Sequence, residues 1–244
     1  MSDLAILVLW SDETVLVVSK PSGLLTHNSA WAGPREESLR QLLLRQEGGA
    51  LHPVQRLDRG ASGLVVFARS PEATRAWQEA LADENAVKLY LALVRGQLAE
   101  SVTVDHPIRD ARAGGSELAA RPAQSEVRPL ASSEVDRCSL VELRLRQGRR
   151  HQARRHLKHI SHPVIGDSTW GKGEVNRRYG ERYGLSRLAL HCACLLVRHP
   201  MTGEALTLRA PIPSDLVAPL ALLFPAEVLE EALEAIGHRD QEQG

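Results

Sequence analysis

Apolar residues recur along the chain with two different periods, and the switches between them mark out its elements. Ala5–Leu9 and Thr14–Ser19 read as two short strands, with Ser11-Asp12-Glu13 turning between them. Lys20-Pro21-Ser22-Gly23 ends that pair, because proline cannot donate to a ladder and glycine permits the turn. Leu39, Leu42 and Leu43 stand at i, i+3 and i+4, which predicts a helix from about Glu36 to Gln46, stopped by Gly48-Gly49. The continuous run Leu64–Ala68 reads as a buried strand. A helix follows to about Asn85, its start marked by Ser70 as N-cap, Pro71 in the first position and Glu72 in the first turn.

Val87–Val94 predicts a further strand, and Arg109–Arg121, centred on Gly114-Gly115, a loop. Ser139–Arg146 alternates cleanly, with Val141, Leu143 and Leu145 on one side and Glu142, Arg144 and Arg146 on the other. In His151–Ile160 the apolar Ala153, Leu157 and Ile160 recur at i, i+4 and i+7, leaving His151, Arg154, Arg155 and Lys158 on the opposite helical face. Gly171–Gly184 is polar, basic and aromatic and reads as an insertion loop. Leu188–Val197 is a strand that turns at His199-Pro200-Met201-Thr202-Gly203 into Ala205–Arg209, and two helices close the chain. Strands in adjacent runs with few helices between them predict an α+β fold with a mixed, largely antiparallel sheet flanked by helices.

Composition narrows the class without choosing a function. At 244 residues, 43% hydrophobic and 25% charged, the chain can bury a full core and resembles an ordinary soluble globular enzyme. No apolar run has the length of a bilayer span, and no basic segment precedes an apolar stretch at the N-terminus, so no membrane association is expected. Three cysteines form no disulfide framework and suit a reducing cytoplasm. The net charge of zero hides an asymmetry. Leu143–Gly166 holds seven Arg or Lys and no acid, whereas Ala226 to the end holds six acids and one Arg. A block of cations with no acid points to a polyanion.

The densest chemistry lies in Arg56-Leu57-Asp58-Arg59-Gly60-Ala61-Ser62-Gly63, a polar loop entering the buried run that follows. An ionised Asp on a loop supported by a core strand can act as nucleophile, general base or ion-pair partner. His151, His156, His159 and His162 lack the i, i+4 pair of a helical zinc site, so no metal is expected there. Cys192 and Cys194 share a face of an apolar strand and read as buried structural thiols.

His52-Pro53-Val54-Gln55-Arg56-Leu57-Asp58-Arg59-Gly60-Ala61-Ser62-Gly63 resembles the active-site motif of the RluA-type RNA pseudouridine synthases, His-Arg-Leu-Asp-x-x-Thr-Ser-Gly. Further blocks of that family follow in order. Lys88-Leu89-Tyr90-Leu91-Ala92-Leu93-Val94-Arg95-Gly96 resembles Lys-x-Tyr-x-Ala-x-Val-x-Gly, and Gly148-Arg149-Arg150-His151-Gln152-Ala153-Arg154 resembles Gly-Arg-x-His-Gln-x-Arg, ending in His162-Pro163-Val164-Ile165-Gly166-Asp167. The opening Lys20-Pro21-Ser22-Gly23-Leu24 fits as well, and the likeness covers about residues 4–212.

The resemblance implies a central mixed sheet with a catalytic cleft across it, a catalytic domain over residues 1–212, and a helical extension over 213–244 packed on that domain and ending in an acidic tail. It implies Asp58 as nucleophile, Tyr90 against the target base and Arg154 as the charge partner of Asp58. Read from the residues alone, Tyr90 is also a half-buried core aromatic and Arg154 also a phosphate contact. Arg56 stands where the family fills the gap left by the flipped nucleotide. Arg59, Arg149, Arg150, His151, Arg155 and Lys158 are the remaining candidate RNA contacts. The reaction changes no oxidation state, so no cofactor and no metal are expected, and the partner is RNA.

Gln55 replaces the family's usual His and Ala61 its usual Thr, in positions that do not carry the bond chemistry. The compact chain, with no separate RNA-binding module expected ahead of residue 5, and the stretches around Gly166–Leu188 and Arg198–Glu204 resemble the branch that modifies tRNA, at uridine 65 in the acceptor/T-stem region. A ribosomal RNA uridine is the alternative within the family, and a non-catalytic RNA chaperone the alternative outside it. A monomer is expected.

Overall fold

The computed structural model describes residues 5–27, 37–109 and 119–236. In chain order these form strands β1 (Leu7–Ser11) and β2 (Val15–Lys20), helix α1 (Leu39–Glu47), strands β3 (His52–Pro53) and β4 (Ser62–Ala68), and helix α2 (Pro71–Ala82). Strands β5 (Val87–Arg95), β6 (Val102–Asp105), β7 (Gln124–Ser133) and β8 (Cys138–Leu145) follow. Helices α3 (Gln152–His159) and α4 (Gly173–Tyr183), strands β9 (Leu190–Arg198) and β10 (Ala205–Arg209), and helices α5 (Ser214–Leu223) and α6 (Ala226–Glu234) complete the order. The chain divides into two compact units, Met1–Val87 with His191–Pro213, and Lys88–Leu190 with Ser214–Gly244. The expected α+β class is what these elements form.

The first unit is built on strands in the order β1-β2-β4-β9, with β10 beside β9 and β3 beside the end of β4. Val15–Val18 of β2 and all seven residues of β4 are buried. Strands covered on both faces carry continuous apolar runs rather than alternation, which is why Leu64–Ala68 shows no period of two. The helix start at Ser70 forms as expected: its Oγ accepts from the Ala73 N–H at 3.1 Å. Helix α2 then buries Ala73, Trp77 and Leu81, a stripe at i, i+4 and i+8. Strand β4 pairs β9 in parallel, through Ser62↔His191 and Gly63↔Cys192.

The second unit orders its strands β5-β8-β7-β6, all antiparallel. Val141, Leu143 and Leu145 of β8 are buried, as their alternation requires. Strand β7 has no clean alternation in the sequence because Pro129 interrupts it; the proline sits where the β7–β8 register shifts, between Pro129 and Ala131. Of the expected loop Arg109–Arg121, residues 110–118 lie outside the described residues, but Ile108 and Arg121 exchange backbone bonds of 2.9 and 3.0 Å at its base.

The insertion loop expected over Gly171–Gly184 is instead largely helix α4, closed by Gly184 in the left-handed region. Four glycines and a charged composition argue against a helix by propensity, but tertiary anchoring outweighs propensity. Tyr179 and Tyr183, one turn apart, are both buried. The Tyr179 hydroxyl donates to the Asp136 carbonyl at 2.8 Å, and the Tyr183 hydroxyl donates to the Asp136 carboxylate. The two expected C-terminal helices are present, and the Arg128 Nη2 donates to the Ala235 carbonyl at 3.1 Å beyond α6. None of the helices among the described residues is long and apolar enough to cross a membrane.

Candidate active site

Asp58 lies half-buried on the loop that leads into β4, between exposed Arg56 and Arg59. Its own carbonyl accepts from the Ala61 N–H at 3.1 Å, closing a turn. The segment after β2 clamps the loop backbone. Lys20, wholly buried, donates its Nζ to the carbonyls of Pro21, Leu24 and Arg59 at 2.9, 2.7 and 3.1 Å. Ser22 Oγ donates to the Gly60 carbonyl at 2.6 Å, and the Gly23 N–H donates to the Arg59 carbonyl at 2.9 Å. Thr26 Oγ1 accepts from the Leu57 N–H at 3.2 Å. A buried ammonium is costly unless its donors are satisfied, so three carbonyl acceptors make this lysine a fixed strut. The Lys-Pro-Ser-Gly-Leu block is thus the physical support of the Asp58 loop.

Behind Asp58 the backbone passes β9 so closely that position 63 admits only glycine. Gly63 has φ +110, and a Cβ there would lie 2.1 Å from the Cys192 carbonyl oxygen. Next to it, Ser62 Oγ lies 2.8 Å from His191 Nδ1, and His191 Nε2 lies 3.3 Å from the Ala210 carbonyl. A carbonyl can only accept, so Nε2 carries a proton, and in the neutral imidazole Ser62 then donates to Nδ1. The departures from the family motif also have structural consequences. Ala61 is buried, and Gln55 Nε2 is a buried donor with no hydrogen-bond partner among the described residues. His27, next to Thr26, titrates below its ordinary value because of burial and the charges of Arg56 and Arg40.

In the second unit Tyr90 is buried at the β5 position paired with Leu143. Arg154, on α3, is also buried, unlike the exposed Arg150 and Lys158 of the same basic block. Its Nε and Nη2 donate to the two carboxylate oxygens of Asp167 at 2.7 and 2.8 Å, a bidentate pair. Asp167 Oδ1 also accepts the N–H groups of Thr169 and Trp170 at 2.8 and 2.9 Å. Burial pushes the Asp167 carboxyl up, but the Arg154 hydrogen bonds, the two backbone N–H groups and the guanidinium charge outweigh it and hold its pKa below the usual carboxylate value. Asn176 of α4 grips the same turn: its Oδ1 accepts from Gly166 N–H at 2.9 Å and its Nδ2 donates to the Asp167 carbonyl at 3.0 Å. Gly166 is needed here, since a Cβ would lie 1.8 Å from the Arg187 carbonyl oxygen.

The candidate RNA contacts differ in exposure. Arg56, Arg59, Arg150 and Lys158 are exposed, though Arg59 Nε donates to the Gly23 carbonyl at 3.0 Å. Arg149 donates its Nε to the Pro122 carbonyl at 3.3 Å. Arg155 is half-buried, donating to the Arg109 carbonyl at 2.6 Å and lying 5.6 Å from the Trp170 ring centroid. His151 precedes α3 in the left-handed region, φ 55. His156, buried on the same helix, sets Nε2 2.9 Å from the His106 carbonyl and Nδ1 2.8 Å from Ser125 Oγ, so it is a structural histidine. The roles of Lys20, Asp167 and Asn176 emerge only from the fold; an acid directly after Gly166 in the last motif block was the available signal for Asp167.

Residues 14–159 match the profile of the RNA pseudouridylate synthases. The chain is 38% identical over 219 residues to "tRNA pseudouridine synthase C" of Yersinia pestis, covering 83% of this chain and 85% of that one. It is 35% identical to the protein of the same name from Vibrio cholerae, covering 83% and 89%. Among solved structures it superposes on Human RNA Pseudouridylate Synthase Domain Containing 1 with a TM-score of 0.70 at 25% identity, covering 96% of this chain and 97% of that one. The match to Human RNA Pseudouridylate Synthase Domain Containing 4 has a TM-score of 0.71 at 25% identity, covering 89% and 92%. With the ordered motif blocks and this fold, the chain belongs to the RNA pseudouridylate synthase family, as an RNA pseudouridine synthase of the RluA type.

Proposed function

We propose that this enzyme isomerises a uridine of tRNA, uridine 65 in the acceptor/T-stem region, and that Asp58 is the nucleophile. The observation that carries the reading is the presentation of Asp58: a half-exposed carboxylate on a loop whose backbone is clamped by Lys20, Ser22, Gly23 and Thr26. A carboxylate that served only a surface ion pair would not need such support. The choice of tRNA rests on relatives named for tRNA, whose similarity runs over most of both chains.

The reaction breaks the N1–C1′ bond, turns the base and joins C5 to C1′, while C5 loses a proton and N1 gains one. No electrons enter or leave, so the residues must supply an electron pair, proton management and a pocket for an extruded base. Asp58 supplies the electron pair, adding either to the sugar carbon or to the base. Tyr90 lies against the base and its hydroxyl takes part in the proton transfer. Arg154 pairs with Asp58 and fixes the carboxylate's rotamer; the Asp167 pair fixes the guanidinium plane in turn. Arg56 occupies the gap left by the flipped nucleotide, where a planar guanidinium can stack. Arg59, Arg149, Arg150, His151, Arg155 and Lys158 hold phosphates. The enzyme works as a monomer in the cytoplasm.

The test is pseudouridine mapping in total RNA from cells with and without the protein, together with turnover of a tRNA transcript by the purified wild type and Asp58→Asn. Loss of one tRNA pseudouridine is expected. Asp58→Asn binds the transcript but turns it over at less than about a hundredth of the wild-type rate, because the near-isosteric amide is a far weaker nucleophile. A missing ribosomal RNA pseudouridine with tRNA intact would overturn the substrate, and an active Asp58→Asn would remove the nucleophile.

A further inference from the structure

A cavity of about 370 Å³ opens in the second unit, lined by Arg95 at the end of β5 and by Lys172, Arg177 and Arg178 on and just before α4. Glu174 and Glu181 share its walls. Among the described residues none of the four cations makes an ion pair, so four charges face two carboxylates in one concavity. The walls are largely charged, unlike the usual apolar pocket for a small organic ligand. An excess of cations over carboxylates in a concavity creates a positive potential that attracts anions, and guanidinium is the group best matched to phosphate oxygens.

The frame that presents these charges is fixed. Asn176, Tyr179 and Tyr183 tie α4 to the Gly166–Asp167 turn and to Asp136. The Arg95 N–H donates to the Pro163 carbonyl at 3.0 Å, and the Arg95 carbonyl lies 3.0 Å from His162 Nδ1. From Lys172 to Arg178 the helix advances roughly 9 Å, room for one or two backbone phosphates of a strand lying across it. The cations are therefore held in register rather than on a loose arm.

We propose that this cavity is a second contact for the phosphate backbone of the RNA, distinct from the basic block of α3 and not involved in the bond chemistry. It rests on the reading that RNA is the substrate and adds to it a docking point for a duplex region of that RNA. Glu174 and Glu181 interrupt the positive field, so a strand fits in one register and a misplaced one meets a carboxylate.

The test measures binding of a tRNA transcript from 0.05 to 0.3 M KCl. In Arg177→Gln/Arg178→Gln the slope of log K against log salt falls by about 0.9 for each duplex phosphate that the variant no longer neutralises, and affinity at 0.15 M falls about 5-fold per phosphate, as that slope implies relative to 1 M. Glu174→Gln/Glu181→Gln tightens binding, an effect of opposite sign that misfolding cannot produce. Unchanged slope and affinity in the first variant, or no tightening in the second, overturns the proposal. So does calorimetry in which inorganic pyrophosphate binds the wild type but not the arginine variant while RNA affinity is unaltered, since the cavity then takes a free anion. The readout is binding, so a wild type that binds the transcript without forming pseudouridine removes the catalytic reading and leaves this one standing.

Discussion

Removing the carboxylate at position 167 is the sharpest test of how the second unit holds Arg154. The pair is bidentate at 2.7 and 2.8 Å, with side-chain exposures of 9% for Arg154 and 0% for Asp167. Deleting one partner of a buried ion pair costs about 3–5 kcal/mol, because the remaining charge keeps its desolvation penalty without its counter-charge. Asp167→Ala also strips the acceptor from the Thr169 and Trp170 N–H groups. For a chain of this size such a destabilisation lowers the melting temperature by about 6–20 °C. Asp167→Asn keeps an oxygen for the two N–H groups but still leaves the guanidinium without its counter-charge, so about 3 kcal/mol, the lower end of that range, is expected. The pH dependence gives an independent reading. The folded pKa of Asp167 is below its unfolded value, so its contribution is complete above about pH 4 and disappears as pH falls through the lower folded value. Urea denaturation of wild type and Asp167→Asn from pH 3 to 7 should therefore converge at the acid end. Asp167→Ala within about 0.5 kcal/mol of wild type at pH 7, or a constant difference at every pH, would refute the reasoning.

Other outcomes follow from the same geometry. Gly63→Ala sets a Cβ against the Cys192 carbonyl and holds a non-glycine residue at φ +110; overpacking and strain together cost about 2–6 kcal/mol, read as a fall in the urea midpoint. Neutralising Arg150, Arg155 and Lys158 together flattens the salt dependence of RNA binding by up to about 0.7 per single-strand phosphate, and an unchanged slope places the RNA elsewhere. His156 titrates below its ordinary value because burial opposes its charged form. The unfolded chain then takes up a proton near pH 6.5 that the fold does not, so stability is full above that pH and falls as pH drops toward the folded value, by at most about 1.4 kcal/mol per unit. A variant without this titration, His156→Gln, should show a shallower decline between pH 7 and 5; an equal slope in both proteins would assign the decline to other groups.

What the sequence made legible are features whose cause is local. The Ser70-Pro71-Glu72 start of α2, the alternation of β8 and the apolar run of β4 all formed as written, because each is specified by its own residues. The Asp58 loop was visible for the same reason, as a charged turn ahead of a core strand. What stayed hidden depends on distant partners. Helix α4 needed Asp136, which lies 43 residues from Tyr179 and 47 from Tyr183. Strand β7 was masked by a proline that only its bulge against β8 accommodates. The strut role of Lys20 required Arg59 to arrive 39 residues later. Asp167 read as the end of a motif, although it carries the guanidinium that the resemblance singles out.

That guanidinium explains why one basic block contains two kinds of arginine. Arg154 is buried on α3 while Arg150 and Lys158 are exposed, so the block contains an arginine held inside the fold and cations that face solvent. An exposed cation can remain solvated until a phosphate arrives, and its worth then varies with salt. A buried one cannot wait: left without a counter-charge it costs several kcal/mol in the free protein. Asp167 meets that demand before any substrate binds, and the N–H groups of Thr169 and Trp170 hold its carboxylate in place. Because both carboxylate oxygens are engaged by Nε and Nη2, the plane of the guanidinium is set as well as its position. An arginine proposed to orient a nucleophile needs that fixed plane, whereas one proposed only to attract RNA does not.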